Sequence, residues 1–582
     1  EAGFEKQMPQ GHEYIETFLK YSDQLFGANR LTVVVKAKNG TIWTKEGLAK
    51  LYEVTQAVIY LPSVDRLGVQ SLWTPNSFVN EITEEGFRAQ PVIPGTVTVD
   101  ALTSEVIENV RSATAQGGYI GTLVGRDQTS AMITAELGEL NPDGTKLDYI
   151  AYNDILEGKI RQKFEDENFE IQIIGFAKQI GDIANGASAV LEFCTVALLL
   201  TALAVYWYCH SLRLTILPVA CSLTSLVWQF GTLRLMGYGL DPLAVLVPFL
   251  VFAIGVSHGV QQINFIVREI AHGKTTEEAA RHSFTGLLIP GTLALVTAFV
   301  SFITLLLIPI PMVKELAVIS SIGVAYKIVT NLVMLPVAAS CFNFTKEYAD
   351  KAMIKRERRS EWLRGLARVA EPRNAVVVAT ITVIIFGVSM WQSRDRVVGT
   401  VQPGAPELRQ DSRFNRDAVS IASSYDLGLD WLTVVFEAPE NSCENVAIGK
   451  YQDDFIASLE SVPGIQAIKS YSNQLRIFSQ GYNEGNPKMA VIPIDPAATA
   501  TLATEIARTR GYVNTDCSMT AVHIYLEDHK ATTINGVIAA VKEFRKANLE
   551  EGIKVRLASG NAGVLAAIND EVEHSELLMM LY

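Results

Sequence analysis

Hydrophobic and polar residues alternate along this chain in long blocks rather than in short periods. Five apolar segments in close succession and a sixth further on separate two extended polar regions. The apolar segments span residues 187–208, 214–235, 243–267, 284–308, 313–342 and 375–391. Most of them approach or exceed the roughly 20 residues that a transmembrane helix needs, and the sixth is the shortest. Five of them fall within residues 187–342, which leaves too little polar surface for a soluble fold, so the pattern predicts a membrane protein.

The polar regions show the mixed periodicities of α+β domains. In the first region, β-branched runs predict strands and helical spacing of apolar residues predicts helices. The predicted strands are 31–35, 131–137 and 170–175, and the predicted helices are 45–59, 103–113 and 150–164. We therefore expect a membrane α-helical bundle that carries two α+β domains.

The second polar region repeats short sequences of the first in the same order. The matching pairs are 31–37 with 432–438, 61–64 with 462–465, 118–120 with 511–513 and 173–175 with 556–560. One short match can arise by chance, but four in order indicate an internal duplication. Parallel repeats of this kind are known among transporters.

The loops between apolar segments predict the orientation in the membrane. Loops 210–213, 268–281 and 343–373 are basic, and they alternate with loops 236–241 and 309–311, which carry no Lys or Arg. The positive-inside rule places the basic loops in the cytoplasm, and both polar domains on the opposite side. Loop 268–281 also has helical spacing and is predicted to form a polar helix.

Within the basic linker 343–373, the stretch 362–368 is amphipathic. Two interpretations are open for it: a helix on the anionic inner leaflet, or a solvated connecting helix.

Charge and motif content exclude several classes of function. The net charge is −13, and basic residues cluster only in the linker, so no nucleic-acid surface is expected. The chain has no nucleotide-binding loop, dinucleotide fingerprint, catalytic triad or Cys/His metal spacing, so no enzyme, cofactor or metal is predicted. Of the six cysteines, Cys443 and Cys517 lie in the second polar region. They form a disulfide if that region is in an oxidising compartment, and are free otherwise.

Polar residues interrupt the third apolar segment at membrane depth. Gly255, Ser257, His258, Gly259 and Gln261 fall near its middle. Polar side chains at this depth are expensive and usually functional. A structural alternative is that the two glycines, four residues apart, form a packing motif between membrane helices. Ser257 and His258 would then only hydrogen-bond a backbone carbonyl or a neighbouring helix.

A lysine lies near the middle of the fifth apolar segment. Lys327 is followed by Thr330 and Asn331, and its segment runs in the same direction as the third, so both polar groups share a depth. A lysine there costs at least about 2.5 kcal/mol unless it has partners or water. The acids of the apolar segments, Glu192 and Glu315, lie near the outer ends. We therefore expect a carboxylate outside these segments, or cavity water, to satisfy Lys327.

These features together resemble the resistance–nodulation–division (RND) superfamily of transporters. The similarity is greatest to its MMPL branch of lipid and hydrophobe exporters, which is related to sterol-sensing-domain proteins. It rests on the repeat, the block of five helices, the basic linker and Pro290-Gly291 in the fourth apolar segment. The resemblance implies an RND fold with twelve membrane helices, and the sequence is expected to be the interior of a longer protein whose second membrane half is mostly missing.

The resemblance also implies domain boundaries and a coupling site. The implied divisions are 1–186 and 392–575 as periplasmic porter-like domains, 187–342 as family helices two to six, 343–373 as cytoplasmic linker, 374–391 as helix seven and 576–582 as the start of the next helix. In the family, the fourth helix usually carries a proton-relay aspartate. Ser257 occupies that position and His258 follows it, and serine cannot titrate, whereas histidine titrates near neutral pH.

We therefore predict Ser257, His258 and Lys327 as candidates for ion coupling, with Gly255, Gly259, Gln261, Thr330 and Asn331 as supporting or packing residues. The predicted function is a secondary-active, proton-driven exporter of a lipid-like or hydrophobic compound in a bacterial inner membrane. Membrane lipids, periplasmic accessory proteins and further copies of the chain are the expected partners. The alternative is a membrane sensor or scaffold without transport, which the absence of the relay aspartate favours.

Overall fold

The chain forms two compact units in a computed structural model. The helical unit comprises residues 1–7, 187–397 and 572–582, and the polar unit comprises residues 8–186 and 398–571. The structure describes the chain except for residues 1–5, 7, 22–23, 26–28, 84–85, 139–140, 142–143, 146, 240–243, 355–366, 400–403, 406, 427–429, 509–510, 529, 559 and 582. Most of the predicted amphipathic stretch 362–368 therefore lies outside the described residues.

The first half of the polar unit is built around a three-stranded antiparallel sheet. Its elements are α1 (Glu13–Tyr21), β1 (Arg30–Ala37), α2 (Lys45–Ile59), β2 (Phe78–Thr83), β3 (Gly86–Pro91), α3 (Ser104–Gln116), β4 (Ser130–Glu136), α4 (Tyr149–Ile155), a π-helical stretch (Leu156–Arg161), α5 (Gln162–Phe164) and β5 (Phe169–Gly175). The strand order is β4-β1-β5, with β1 in the centre. Val33 and Val35 of β1 face the apolar side of α2, including Leu48 and Leu51. The predicted strands and helices of this region are therefore present, with ends that differ by a few residues.

The second half repeats this arrangement with one added strand. Its elements are α13 (Arg413–Ser424), β6 (Trp431–Glu437), α14 (Val446–Leu459), β7 (Ile465–Ser470), α15 (Tyr471–Tyr482), α16 (Pro496–Ala507), β8 (Met519–Leu526), α17 (Ala531–Ala547) and β9 (Lys554–Ala558). The order β7-β8-β6-β9 contains β8-β6-β9, which matches β4-β1-β5 in order and antiparallel direction.

Glycines mark the same point in both sheets. Gly175 and Gly560 have φ angles of 141° and 118°, and a Cβ on either would collide with the carbonyl oxygen of the first residue of the central strand, Arg30 or Trp431. A positive φ angle and the lack of room for a Cβ atom both favour glycine at these positions.

Each sheet is covered on one face by a helix from the other half of the polar unit. Helix α1, from the start of the chain, packs Tyr21 against Val435 and Ala521 of the second sheet. Helix α13 packs Phe414 and Ile421 against the first sheet, an interaction joining residues more than 200 positions apart. The two halves are therefore interlocked rather than independent.

A buried carboxylate fixes α13 to the first sheet. Asp417 is 1% exposed and accepts hydrogen bonds from the backbone N–H of Ile173 at 3.0 Å and from Arg413 Nε at 3.0 Å. Arg161 Nη1 lies 2.9 Å from Oδ2, the same oxygen that accepts from Ile173. Burial raises the pKa of Asp417 above its ordinary value, although both guanidinium groups and the N–H oppose the shift. The two bound cations make this position depend on its carboxylate.

A disulfide links Cys443 and Cys517, whose Cα atoms are 4.9 Å apart. It joins the loop after β6 to the turn before β8. Of the two outcomes left open by the sequence, the bonded one is therefore realised. The equivalent loops of the first half are joined by hydrogen bonds instead, from Ile42 N to Gln128 O at 3.0 Å and from Trp43 Nε1 to Gln128 Oε1 at 2.9 Å.

The helical unit contains all six predicted apolar segments as helices. They are α6 (Phe176–Cys209), which starts in the polar unit, α7 (Leu212–Leu235), α8 (Val247–Ala271), α9 (Thr276–Ile303), α10 (Pro311–Lys327) continued by a π-helical stretch (Ile328–Met334) and α11 (Leu335–Ser340), and α12 (Pro372–Gln392). Stretches of all six are long and apolar enough to cross a membrane. The chain ends in α18 (Asn561–Leu581).

The packing inside this unit is uneven. In the most apolar stretch of each helix, about half of the residues are buried in α7, α8 and α10. In α6 and α9 the buried share is 11%, and in α12 it is zero. The large apolar side chains of α12 therefore face outward along its whole length.

The predicted polar helix at 268–281 is wrong. Helix α8 ends at Ala271 and α9 begins at Thr276, so the segment holds the ends of two long helices and a turn. Gly273 adopts a φ of 92°, and Thr275 forms a capping box with Glu278. These local signals end one helix and start the next, and they outweigh the helical spacing of the flanking residues.

Stability of the polar unit should fall in acid through Glu437, which ties α1 to the second sheet. Burial opposes its ionisation, but hydrogen bonds from Lys20, Tyr21 and Arg556 prevail and hold the pKa of Glu437 at about 2, below its ordinary 4.5. A lowered carboxyl pKa stabilises the fold above pH 4.5, and that stability is lost as pH falls towards 2. Urea unfolding between pH 6 and pH 3 should show this loss in the wild type.

The Glu437→Gln variant should be less stable than the wild type at pH 6 and should lose less on acidification. The exposed neighbour Glu440 provides the control, because the unfolding free energy of Glu440→Gln should depend on pH as that of the wild type does. If the unfolding free energies of the wild type and Glu437→Gln fall by the same amount from pH 6 to pH 3, this role of the carboxylate is contradicted.

Candidate functional site

Lys327, the last residue of α10, is fully buried between α7 and α8. Its side chain has no exposed surface, and Nζ donates a hydrogen bond to the backbone oxygen of Ser222 at 3.1 Å. Within the part of the chain that the structure describes, no carboxylate forms an ion pair with Lys327. An ammonium in apolar surroundings is costly without a counter-charge, so this position departs from what packing alone would select.

The helix changes its geometry directly after Lys327. Residues Ile328–Met334 form a π-helical stretch, a feature that is frequent at functional sites. Thr330 and Asn331 lie in this stretch and are fully buried. Thr330 Oγ1 hydrogen-bonds the Tyr326 backbone oxygen at 3.1 Å, and the Asn331 amide donates to the backbone oxygen of Gly255. The π turn therefore connects α10 to α8 beside the lysine.

Gly255 and Gly259 are the close-contact positions of α8. A Cβ on Gly255 would collide with Lys327 Nζ and lie 2.6 Å from Ser222 Oγ, and a Cβ on Gly259 would lie 2.5 Å from the Pro218 side chain. Small residues let the backbones of membrane helices approach, and here they make room for the lysine. Gly255 and Gly259 therefore both lie where neighbouring helices approach closely, and their role stays a prediction.

The other predicted residues of α8 are placed differently. Ser257 and Gln261 are exposed, and His258 is half-buried. Successive residues turn by about 100° in an α-helix, so Ser257 points roughly 200° away from Gly255 and from the lysine. The structure thus brings together Gly255, Lys327 and Asn331, and it does not bring Ser257 or Gln261 to them.

A set of buried polar side chains along α7 and α10, which includes Lys327, was not predicted from the sequence. We call it the polar cluster; it consists of Ser222, Ser225, Gln229, Ser320, Ser321 and Lys327. All six are buried. Gln229 Nε2 donates to the Ile319 backbone oxygen at 2.8 Å, which joins α7 to α10. The spacing of the three α7 residues, three and four positions apart, is the signal that could have revealed this polar face.

Several atoms of the polar cluster lack a partner among the described residues. They are Oγ of Ser222, Ser320 and Ser321 and Oε1 of Gln229. Buried polar groups are nearly always hydrogen-bonded to protein or to water. These oxygens can accept hydrogen bonds from water, and Ser222 is the residue of the set that contacts the ammonium, through its backbone oxygen.

Six helices able to cross a membrane, with a charged and polar cluster among them, define a multi-pass α-helical membrane protein. Residues 123–377 match the MMPL family. This confirms the predicted resemblance to the MMPL branch of the RND superfamily. Proteins of this family are membrane transporters or related proteins rather than enzymes.

One relative shares much of the chain. A protein of Methanocaldococcus jannaschii, described only as a candidate membrane protein, is 21% identical over 355 residues, covering 58% of this chain and 83% of the relative. This similarity supports the membrane location and names no substrate.

Substitution of Gly255 should disturb the lysine site. We expect Gly255→Ala to lower the stability of the detergent-solubilised protein by about 1–3 kcal/mol, because the added methyl displaces the Lys327 ammonium. Gly231→Ala is the matched control in α7, since nothing lies within 4 Å of a Cβ there. A thermal melt of both variants measures the difference, and an unchanged midpoint for Gly255→Ala would refute the close packing.

Proposed function

We propose that this protein is a secondary-active exporter of a lipid-like or hydrophobic compound, driven by an ion gradient, with protons as the coupling ion. It would act in a bacterial inner membrane with the polar unit in the periplasm. The observation that carries the proposal is the buried ammonium of Lys327 at mid-span beside orphaned polar atoms. Ionisable residues inside membrane segments mark ion pathways by default.

The coupling step would be a change in the protonation or the partner of Lys327. A carboxylate from a second set of membrane helices, or water in a central cavity, would serve as that partner. The half-buried His258 lies on the next turn of α8 from Gly255 and is the second candidate for proton transfer. Ser257 cannot titrate and remains a candidate only through hydrogen bonding.

The likeness of the two sheets supports an internal duplication of the RND type. Each central strand has the same antiparallel neighbours, and each sheet carries its positive-φ glycine at the same place. Under this proposal the two halves of the polar unit are porter-like domains. A second bundle of membrane helices would follow the second domain, as one follows the first.

A chain of ion pairs supports a mechanical link between the porter domains and the membrane helices. Lys178, in the first turn of α6, contacts Glu157 at 2.9 Å and Asp182 at 2.5 Å. Glu157 pairs with Arg161 at 3.0 Å, and Arg161 pairs with Asp417 of α13. Because α6 continues into the first membrane segment, these partly buried ion pairs join α13 to the start of the helix that leads there.

The expected partners also belong to the proposal. The outward apolar surfaces of α6, α9 and α12 suit membrane lipids or further helices, and a hydrophobic substrate would enter from that side. Periplasmic accessory proteins and a homo-oligomer are proposed on family resemblance. The disulfide between Cys443 and Cys517 favours an oxidising compartment for the polar unit.

A second candidate function is a membrane sensor or scaffold that does not transport. It is favoured by Ser257, which occupies the relay position, cannot titrate and points away from Lys327. The two functions differ in what they require of the lysine, since a scaffold has no use for a buried charge.

The first test is complementation of a deletion strain, read out as the lipid composition of its membrane fractions. The wild type should restore the normal profile, and Lys327→Met, which keeps the length but not the charge, should lose at least about 90% of that restoration. Lys314→Met, in the first turn of the same helix, should behave as wild type. If both Lys327→Met and His258→Ala restore the profile at normal protein levels, the exporter proposal fails and the scaffold remains.

The second test addresses orientation. After mild reduction of intact spheroplasts, a membrane-impermeant maleimide should label the partly exposed Cys443. The free and exposed Cys341, at the cytoplasmic end of α11 in this orientation, should be labelled only after permeabilisation. Mass spectrometry of the labelled peptides gives the result, and the reverse pattern would overturn the proposed topology.

A further inference from the structure

A cleft lies at the end of the first sheet where β1 ends and β4 begins. Its volume is about 880 Å³, and it is bordered by the loop before α2, by the N-terminal part of α3 and by the turn before β4. Small-molecule sites in proteins commonly measure about 300–1,000 Å³. The cleft lies wholly within the polar unit.

Gln128, in the turn before β4, joins the two sides of this cleft. Its side-chain Oε1 accepts hydrogen bonds from Trp43 Nε1 at 2.9 Å and from Arg111 Nε at 3.1 Å. Its backbone oxygen accepts from Thr41 Oγ1 at 2.8 Å and from Ile42 N at 3.0 Å. One residue therefore holds the loop before α2 and the arginine of α3 in a fixed relation.

Arg111 is oriented by this hydrogen bond, and most of its donors stay available. A guanidinium offers five N–H donors in a planar fork, and Gln128 engages only Nε. On the other side, Glu108 Oε2 lies 3.6 Å from Arg111 Nη1, and the two side chains are 71% and 46% exposed. Exposed ion pairs of this kind contribute little, so an anion from solution can replace Glu108 as the partner of the arginine.

The start of α2 adds positive charge and donors to the same cleft. Lys45 is exposed and lines it. Thr44 Oγ1 accepts from the Gly47 N–H at 2.9 Å, but the N–H groups of Lys45 and Glu46 have no acceptor among the described residues. The first turn of a helix carries partial positive charge, which adds to the charge of the lysine.

Two carboxylates also line the cleft, and they differ in how they are engaged. Asp127 accepts hydrogen bonds from Thr129 N at 3.1 Å and from Thr129 Oγ1 at 2.9 Å, so both of its oxygens are used within the turn. Glu108 contacts only Arg111, and loosely. Glu108 is therefore the carboxylate that competes with a ligand for the guanidinium.

The walls of the cleft are partly apolar. Ile107 of α3 lines it and is partly exposed, whereas Trp43 and Leu102 line it from largely buried positions. A ligand that touches this wall as well as Arg111 has an organic part in addition to a charge. Pockets that combine apolar walls with a few oriented polar groups are typical of small-molecule sites.

The second half of the polar unit builds the same turn with different side chains. The strand registers align Gln128 with Cys517 and Ile42 with Cys443. Gln128 and Cys517 have nearly the same positive φ angles, 56° and 55°. In the second half, the disulfide joins the two loops. The turn therefore does not require a glutamine.

Arg111 has an uncharged counterpart in the second half. The repeated sequences 118–120 and 511–513 align it with Thr504 of α16. Thr504 Oγ1 donates to the Ala500 backbone oxygen of its own helix at 2.9 Å. The fold therefore accepts a neutral residue at this position, and folding alone gives no reason for an arginine held in a cleft.

We propose that this cleft binds the phosphate group of a small organic phosphate through Arg111 and Lys45, with Ile107 in contact with the organic part. The guanidinium would supply a bidentate contact, and the ammonium a point charge of the kind that binds phosphates. The N–H groups at the start of α2 would add donors. Identifying the ligand as the exported compound would rest on the function proposed above, but the binding itself does not.

Titration calorimetry of the purified full chain in a neutral maltoside detergent tests the proposal. The ligands are phenyl phosphate, phenol, which lacks the anion, and inorganic phosphate, which lacks the ring. Phenyl phosphate should bind at least about tenfold more tightly than phenol, because charge-assisted hydrogen bonds are the strong ones. Equal affinities for these two would overturn the anion site. Inorganic phosphate binding as tightly as phenyl phosphate would overturn the organic ligand.

Variants connect the binding to the named residues. Arg111→Gln and Lys45→Gln should each weaken phenyl phosphate binding about tenfold, whereas Glu108→Gln should strengthen it by removing the competing carboxylate. Arg416→Gln, at an exposed arginine of α13, is the matched control and should bind as the wild type does. Thermal midpoints establish that each variant is folded. Unchanged affinity in folded Arg111→Gln, or weaker binding by Glu108→Gln, would refute the assignment.

A further variant tests the apolar wall. Ile107→Ser should lower the affinity for phenyl phosphate towards that for inorganic phosphate, and it should leave the binding of inorganic phosphate unchanged. If folded Ile107→Ser binds phenyl phosphate as the wild type does, the ring does not touch this wall and the proposed pose is wrong.

The lysine variant separates this inference from the proposed function. Lys327→Met should bind phenyl phosphate as the wild type does, even where it abolishes restoration of the lipid profile. If the chain prefers phenyl phosphate and Lys327→Met still complements, the cleft is supported and the proton-driven mechanism fails. If phenyl phosphate and phenol bind equally but complementation depends on Lys327, the mechanism is supported and the cleft fails.

Discussion

The ammonium of Lys327 imposes the strictest physical condition on the helical unit. A positive charge at mid-span is tolerated only where backbone oxygens, small side chains or water surround it. The unit meets this condition with a glycine at position 255, a π-helical turn that aims Asn331 at α8, and serines on α7 and α10. One charge therefore accounts for the positions of the glycine, the asparagine and the serines in these three helices. The apolar contacts elsewhere hold the helices in place.

The polar unit follows a comparable principle at its exchanged helices. Each helix that crosses to the other sheet is fixed by one carboxylate that receives several donors: Asp417 for α13 and Glu437 for α1. Charged groups that are well partnered fix one arrangement more sharply than apolar contacts, which tolerate sliding. Lys327 is the exception, because among the described residues it has a backbone oxygen but no carboxylate as its partner.

Much of the fold could be predicted from the sequence because its signals are local. Apolar length predicted all six membrane segments, and β-branched runs predicted β1, β4 and β5. The turn between α8 and α9 was missed because helical spacing on both sides concealed a capping box. The exchange of α1 and α13 could not be predicted, since it depends on which sheet face each apolar helix reaches.

The candidate site was predictable only in part. Lys327, Asn331 and the glycine at 255 were found because charge, amide and glycine stand out in an apolar segment. The serines of α7 and α10 were overlooked because single serines are common in membrane helices and gain meaning only when they converge. The orientation of Ser257, away from the lysine, required the helix rotation that only a structure gives. The roles of Lys327, Ser257 and His258 all stay predictions.

The exchange of helices also constrains how the protein is made. When the ribosome has completed the first sheet, the helix that will cover its open face has yet to be synthesised, more than 200 residues downstream. Helix α1, already complete, must wait still longer for its own sheet. Contacts this distant in sequence form slowly, and an uncovered sheet face can pair with the wrong partner in the meantime. A chaperone that holds unfolded chains would therefore matter most after the first domain is made and before α13 is synthesised.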